Sequence, residues 1–205
     1  EAENTFRPGN LFDYLTRNQV TGVLEARDIL VAVLQGMGEI WPDGSWIDNV
    51  AIGDAGYHEV VKRSDITDGI VPFHKLSQWM SYSLIEPLQE AGFKVNNLDA
   101  LTGLAEYRNG GLFIDTKAIS LKDRTQLEVV HDPKSPLVVE WRALTVVLLD
   151  KLAEKIRRST STDSGSMPLA SILQGGTWSA GRRIAQQLRA NGVPPLQLNS
   201  RGTIF

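Results

Sequence analysis

Residues 72–92 read PFHKLSQWMSYSLIEPLQEAG, and this stretch holds the first polar side chains whose types and spacing suit chemistry. Phe73, Leu76, Met80 and Leu84 recur at helical spacing and define an apolar face. Lys75, Gln78, Tyr82 and Glu86 follow the same spacing along a second line, with His74, Ser77 and Ser81 between the two. A solvated helix face favours Glu, Lys and Arg. This one carries Gln, Ser and Tyr, which direct hydrogen bonds, and Trp79 adds a large flat surface. Two readings are open: a helix buried on two sides with its polar groups satisfied by neighbours, or a wall facing a ligand.

Three later stretches raise the same question. In LTGLAEYRNGGLFID, Glu106, Tyr107, Arg108 and Asn109 precede a glycine pair that permits close backbone approach. The plain alternative is a surface turn with a solvated Glu–Arg pair. In VVEWRALTVVLLD, Glu140 and Arg142 each have apolar neighbours at helical spacing, yet they point nearly oppositely. Each charge must then reach another partner, in a structural ion pair or in a polar pocket. In LQGGTWSAGRR, glycines lead to Thr177 or Ser179 as a candidate N-cap before Trp178, Arg182 and Arg183. Arginines at a helix start suit a bound anion, though a glycine turn with solvent-facing arginines fits equally. The phosphate-loop pattern GxxxxGK[ST] is absent from this stretch.

The elements that must position these residues are mostly helices. A short helix is expected from Asn10, and a second on the face made by Val23, Leu24, Ile29, Leu30, Val33, Leu34 and Met37. Pro42, Asp43 and Gly44 mark a turn, and residues 52–69 read as a long loop with short structure. Pro72 opens the helix of the first paragraph, and Gly92 closes it. The strongest helix covers 137–157, a Ser/Thr-rich flexible loop covers 159–168, and a last helix includes 178–189. One terminal strand suits the final residues. The fold class expected is mainly α: one multi-helix domain over 1–205 with little or no β.

Composition narrows the functions. The 205 residues carry a net charge of −3, which disfavours non-specific nucleic-acid binding. Cysteine is absent and there are three histidines, so disulfides and thiolate zinc sites are excluded, and no metal or other cofactor is expected. No apolar run reaches the roughly 18 residues of a spanning helix, and no signal-peptide pattern opens the chain. A cytoplasmic protein with no membrane partner is expected.

Taken in order, PGNLFDYL, PFHKLSQWMSYSLIEPL, DALTGLAEYRNGGLFID, VVEWRALTVVLLD, LQGGTWSAGRR and GTIF resemble the uracil catabolism protein family, the fourth component of the uracil catabolic pathway. The likeness runs over nearly the whole chain but to the C-terminal half of the family only, which implies the N-terminal half as a partner. The pathway implies a ribonucleotide 5′-phosphate or ribosylurea-type substrate. The pattern LTGLAEYR followed by VVEWRALTVVLL is also similar to queuosine salvage proteins, which implies N-glycosidase chemistry and a DNA-glycosylase-like fold. On that likeness Glu106 and Lys75 match an acidic and a lysine position, whereas a late aspartate has no counterpart near GGTWSAGRR.

Cleavage of a ribosidic C–N bond passes through an oxocarbenium-like state that a carboxylate stabilises. Glu106 and Glu140 are the catalytic candidates. Trp79, Tyr82 and Tyr107 would cover a planar group, Gln78 would orient it, and Arg108 and Trp178 would also bind the substrate. Lys75, Arg182 and His74 would hold a 5′-phosphate. The alternatives are a non-catalytic pyrimidine-metabolite binder and an amidohydrolase acting on a ureido group.

Overall fold

The computed structural model describes residues 7–17, 21–200 and 202. In chain order the elements are α1 Asn10–Thr16, β1 Val23–Glu25, α2 Ala26–Met37, β2 Ser45–Ile47, β3 Val50–Gly53, β4 Ala55–Tyr57, β5 Ile70–Pro72, α3 Lys75–Glu90, β6 Lys94–Asn96, α4 Tyr107–Asp115, β7 Val130–His131, α5 Pro136–Thr160, α6 Leu169–Ile172, α7 Ser179–Leu188 and β8 Gln197–Leu198. Helix dominates, as the periodicity predicts. None of the described helices is long and apolar enough to cross a membrane.

The expectation of little or no β needs correction. Eight short strands pair into four two-stranded sheets among the described residues. β1 with β6 and β7 with β8 run parallel, while β2 with β3 and β4 with β5 run antiparallel. Val23 and Leu24 fall in register with the apolar face of α2, so spacing alone assigns them to the helix, whereas pairing with Lys94 and Val95 claims them for a strand.

Two helix boundaries also differ from the expected ones. Pro72 closes β5 and does not open α3; His74 intervenes in the left-handed region at φ 49°, ψ 40°. The glycines of LQGGTW form no turn. A π-helical segment, Leu173–Trp178, joins α6 to α7 without a break, so neither Thr177 nor Ser179 caps a helix. α5 does begin at Pro136, where a missing N–H costs nothing.

The core divides into neighbouring clusters. Leu24, Ile29, Ile85, Leu88 and Val95 bring α2, α3, β1 and β6 together. Phe113, Leu149, Ala153, Leu169 and Ile172 pack α4, α5 and α6. Tyr82 touches both clusters, and its hydroxyl donates to the Thr102 carbonyl at 3.0 Å. α3 packs chiefly on α2 and α5 on α4, so the two longest helices meet through Tyr82 rather than along their lengths.

A third set of contacts ties the ends of these helices to one charged pair. Arg142 and Asp54 are both buried, and the guanidinium meets the carboxylate with two parallel bonds, at 2.8 Å and 2.7 Å. Arg142 Nε also donates to the Ala105 carbonyl at 3.2 Å, and its guanidinium carbon lies 4.0 Å from the centre of the Phe73 ring. Arg142 therefore finds the partner that its apolar setting demands. Glu140 does not behave as expected: it is exposed, as are Leu144 and Val147 beside it. The face of α5 that carries Glu140 has no neighbour among the described residues to bury it.

Leaving one member of a buried, hydrogen-bonded ion pair without its partner costs about 3–5 kcal/mol. Arg142→Met is expected to lower stability by that amount in urea unfolding, while Glu140→Gln stays within about 0.5 kcal/mol of the parent, as an exposed substitution should. A mild Arg142→Met or a severe Glu140→Gln would contradict the burial described here.

Candidate functional site

Lys75 is the first residue of α3 and sits where the Asp54–Arg142 pair meets the chain. Its backbone N–H donates to Asp54 Oδ2 at 2.9 Å, while the Phe73 and His74 N–H groups donate to the Asp54 carbonyl at 2.9 Å each. Those bonds hold His74 in its left-handed conformation, which strains a residue with a Cβ. The Lys75 side chain is buried, and Nζ donates to the Gly202 carbonyl at 3.3 Å. Burial, reinforced by the Arg142 charge, brings its ammonium down to a pKa of about 8, against the pull of Asp54 and Glu106.

Glu106 arrives from the other side. It is the N-cap of α4, and its carboxylate accepts the N–H groups of Arg108 at 2.8 Å and Asn109 at 2.6 Å. This is the usual service of an acidic side chain at a helix start. The residue is nevertheless buried, and burial pushes its carboxyl above the ordinary carboxylate range; the two N–H bonds and the charges of Lys75 and Arg108 act in the opposite direction. Lys75 and Glu106 are thus within electrostatic reach of each other, and burial drives both toward their neutral forms. Two such groups can exchange or share a proton at a bound molecule.

His74 and Gln78 lie beside this pair with unequal freedom. Gln78 Oε1 accepts the Thr102 N–H at 3.1 Å, which spends that oxygen on the loop leading to Glu106. His74 Nδ1 is buried with no hydrogen-bond partner among the described residues, and burial lowers the imidazole pKa. Ser77 accepts from Trp41 Nε1 at 3.3 Å, and Ser81 donates back to the Ser77 carbonyl at 2.8 Å, so these two serines are satisfied structurally.

A second group stands on α4 and α7. The Arg108 guanidinium carbon lies 4.9 Å from the Tyr107 ring centre and 5.2 Å from that of Trp178, and the Arg182 carbon lies 5.6 Å from Trp178. Gly181 makes this proximity possible, since a Cβ there would stand 2.3 Å from the Arg108 carbonyl oxygen.

Of the residues singled out in the sequence, His74, Lys75, Gln78 and Glu106 come together, and Tyr107, Arg108, Trp178 and Arg182 form the adjoining group. Trp79 is 59% exposed on another side of α3. Tyr82 is committed to the core and to Thr102, and burial pushes its hydroxyl pKa up. Glu140 lies exposed on α5, on a different face from Arg142. Asp54 was missed. It lies in the stretch read as a loop, and its one signal in the sequence is the demand of Arg142, among apolar neighbours, for an acidic partner. Among the described residues no group of three His, Asp or Glu converges as a metal site would require. An open cleft of about 480 Å³ lined by Pro42, Asp132, Lys134 and Asn199 lies at none of these residues.

The profile of a protein family described as "Protein of unknown function (DUF1688)" matches residues 1–205. The chain is similar to "Uracil catabolism protein 4" of Lachancea kluyveri, 36% identical over 97% of this chain and 51% of that protein. It is similar to "Protein urg3" of Schizosaccharomyces pombe (strain 972 / ATCC 24843), 40% identical over 81% of this chain and 41% of that protein. The chain therefore spans about half the length of these curated relatives or less. No solved structure matches.

The lowered Lys75 pKa sets a pH dependence. The unfolded lysine stays protonated up to its ordinary value of 10.5, whereas the folded one releases its proton near 8. Between those values the unfolded chain binds more protons, so folding becomes more favourable as pH rises. The raised Tyr82 pKa opposes this only above its ordinary value of 10.0. Urea unfolding from pH 7.5 to 10 is expected to show stability rising in the parent relative to Lys75→Met. Parallel pH profiles for the two proteins would place Lys75 in water.

Proposed function

The chain belongs to the DUF1688 family, and from that membership and the geometry above we propose that it acts in uracil catabolism, hydrolysing the N-glycosidic bond of a ribosylurea-type ribonucleotide 5′-phosphate. The observation that carries this reading is that Glu106 and Lys75, two buried ionisable groups at the starts of α4 and α3, are tied to one Asp54–Arg142 pair and act on each other's charge.

Each group has a role that its surroundings support. As C1′–N cleavage builds positive charge on the sugar, the Glu106 carboxylate stabilises it and orients a water toward C1′. The leaving nitrogen needs a proton, and Lys75, with a pKa of about 8, is an ammonium near neutrality that can give one up. Water contributes hydroxyl to C1′ and a proton to the site, so the products are ribose 5-phosphate and the released urea. His74, whose buried Nδ1 has no hydrogen-bond partner among the described residues, would bind the ureido group or the sugar. A DNA-glycosylase-like arrangement of helices accompanies this reading as its structural counterpart.

A non-catalytic metabolite binder is the second reading. It is favoured by the fact that both Glu106 oxygens already accept an N–H from α4.

Incubation of the whole chain with a ribosylurea 5′-phosphate, followed by mass spectrometry, separates the possibilities. Ribose 5-phosphate with urea is the expected outcome. Ammonia with the sugar bond intact would indicate the amidohydrolase, and binding without turnover the metabolite binder. Glu106→Gln is expected to slow release of ribose 5-phosphate by roughly 100-fold or more. It should also lose about 1 kcal/mol of helix-capping stability, so turnover is compared well below the melting temperature. Undiminished turnover in Glu106→Gln would remove Glu106 from the reaction.

A further inference from the structure

We propose that Arg108 and Arg182, placed about the Trp178 indole, form the binding site for the phosphate monoester of the substrate, separate from the Lys75–Glu106 centre. This rests on the reading above for the identity of the molecule that bears the phosphate.

Other guanidiniums in the fold are held by oxygen acceptors: Arg142 by Asp54, Arg157 by Asp99, Arg189 by Asp115, and Arg63 by the Thr67 and Ile70 carbonyls. Arg108 and Arg182 differ. Among the described residues neither guanidinium makes an ion pair or a side-chain hydrogen bond; each is held by aromatic faces. Stacking on a ring fixes the plane of a guanidinium and leaves its N–H edge unused, the edge that binds two phosphate oxygens at once. Two cations gathered at one indole repel each other, and a dianion between them turns that cost into attraction. The balance of charge favours it: Glu106 interacts with both Lys75 and Arg108, and Asp54 with Lys75, but among the described residues no carboxylate makes an ion pair with Arg108 or Arg182.

Local architecture supports the same assignment. The π-helical turn Leu173–Trp178 presents Trp178, and such widened turns recur at functional sites. Thr177, just before it, is 3% exposed, and its hydroxyl has no hydrogen-bond partner among the described residues. Gly181 lets α7 settle on the Arg108 carbonyl, which brings Trp178 and Arg182, four residues apart along the same helical run, up to Arg108. The alternative phosphate ligand expected from the sequence, Lys75, is buried with its Nζ on the Gly202 carbonyl and serves better at the reacting bond.

The test is calorimetric titration of the whole chain with ribose 5-phosphate, ribose and inorganic phosphate at low salt. The parent is expected to bind ribose 5-phosphate at least tenfold more tightly than ribose. Arg108→Gln and Arg182→Gln should each weaken ribose 5-phosphate at least tenfold and leave ribose unchanged, with Arg→Lys variants recovering part of the loss. Inorganic phosphate that competes with ribose 5-phosphate, and is weakened by the same variants, would locate recognition in the phosphate itself. Melting temperatures close to the parent's show that the variants fold, as expected for the exposed Arg182. Equal affinity for ribose and ribose 5-phosphate in the parent, or undiminished ribose 5-phosphate binding in both Gln variants, would overturn the proposal. The two readings fail separately. Arginine-dependent binding in a protein that releases no ribose 5-phosphate from a ribosylurea 5′-phosphate sustains this site and removes the glycosidase. Turnover that is indifferent to both arginines does the reverse.

Discussion

The burial of Arg142 and Asp54 against each other is the constraint on which the rest of this structure depends. Removing two charges from water costs several kcal/mol per ion, recovered only when geometry is good and the remaining hydrogen-bonding capacity is used. Here that capacity is met from several sides. Asp54 accepts from two guanidinium nitrogens and the Lys75 N–H through its carboxylate, and from Phe73 and His74 through its carbonyl. Arg142 spends its Nε on Ala105 and lays its face over Phe73. Four segments remote in sequence are joined at one point, and none can move without leaving a buried polar group unpaired. The strain at His74 is tolerable for this reason: the N–H groups on which its conformation depends have no better acceptor.

From that point the candidate site is built outward along two arms. Asp54 holds the N–H of Lys75, and Arg142 holds the carbonyl next to Glu106. One ion pair therefore sets the separation of two ionisable groups that belong to different helices. It also tunes them. The positive charge of Arg142 assists burial in lowering the Lys75 pKa, whereas Asp54 is shared with that arginine and only partly offsets it. Under these opposed influences Lys75 keeps a pKa of about 8. Held here, it remains an acid of moderate strength beside a carboxylate that burial makes unusually willing to accept a proton.

Much of this was legible in the sequence at the level of residues, and less at the level of partners. Arg142 stands out because helical spacing surrounds it with apolar neighbours, Lys75 because it lies on the polar line of its helix, and Glu106 because it heads a run of functional side chains before a glycine pair. Asp54 does not stand out, because it lies 88 positions from Arg142 in a stretch whose strands are only three or four residues long. Glu140 shows the matching limit. Spacing establishes that it shares a face with Leu144 and Val147, but only the neighbours of α5 decide which of its faces is covered, and they cover the one bearing Val138, Arg142, Thr145 and Leu149. The π-helical segment escaped notice for a local reason. Two glycines before a Thr read as a turn and cap, yet a Cβ at Gly175 or Gly176 would meet nothing within 4 Å, so neither glycine is there to relieve crowding.

The positions of the site residues along their helices carry a further consequence. Lys75 is the first residue of α3, and Glu106 is the cap of α4, so two helix N-termini come to the same place. A helix start carries partial positive charge, which disfavours an ammonium and steadies a carboxylate. Glu106 feels the favourable side of this through the N–H groups of Arg108 and Asn109, and its burial is affordable because those bonds replace water. Lys75 feels the unfavourable side, in the same direction as burial and Arg142. The region is therefore more positive than its formal charges suggest, and the proton on Lys75 is the part of that positive charge most easily given away. A molecule carrying both an anionic group and a basic leaving atom would satisfy both tendencies at once: its anion offsets the field, and its leaving atom takes the proton.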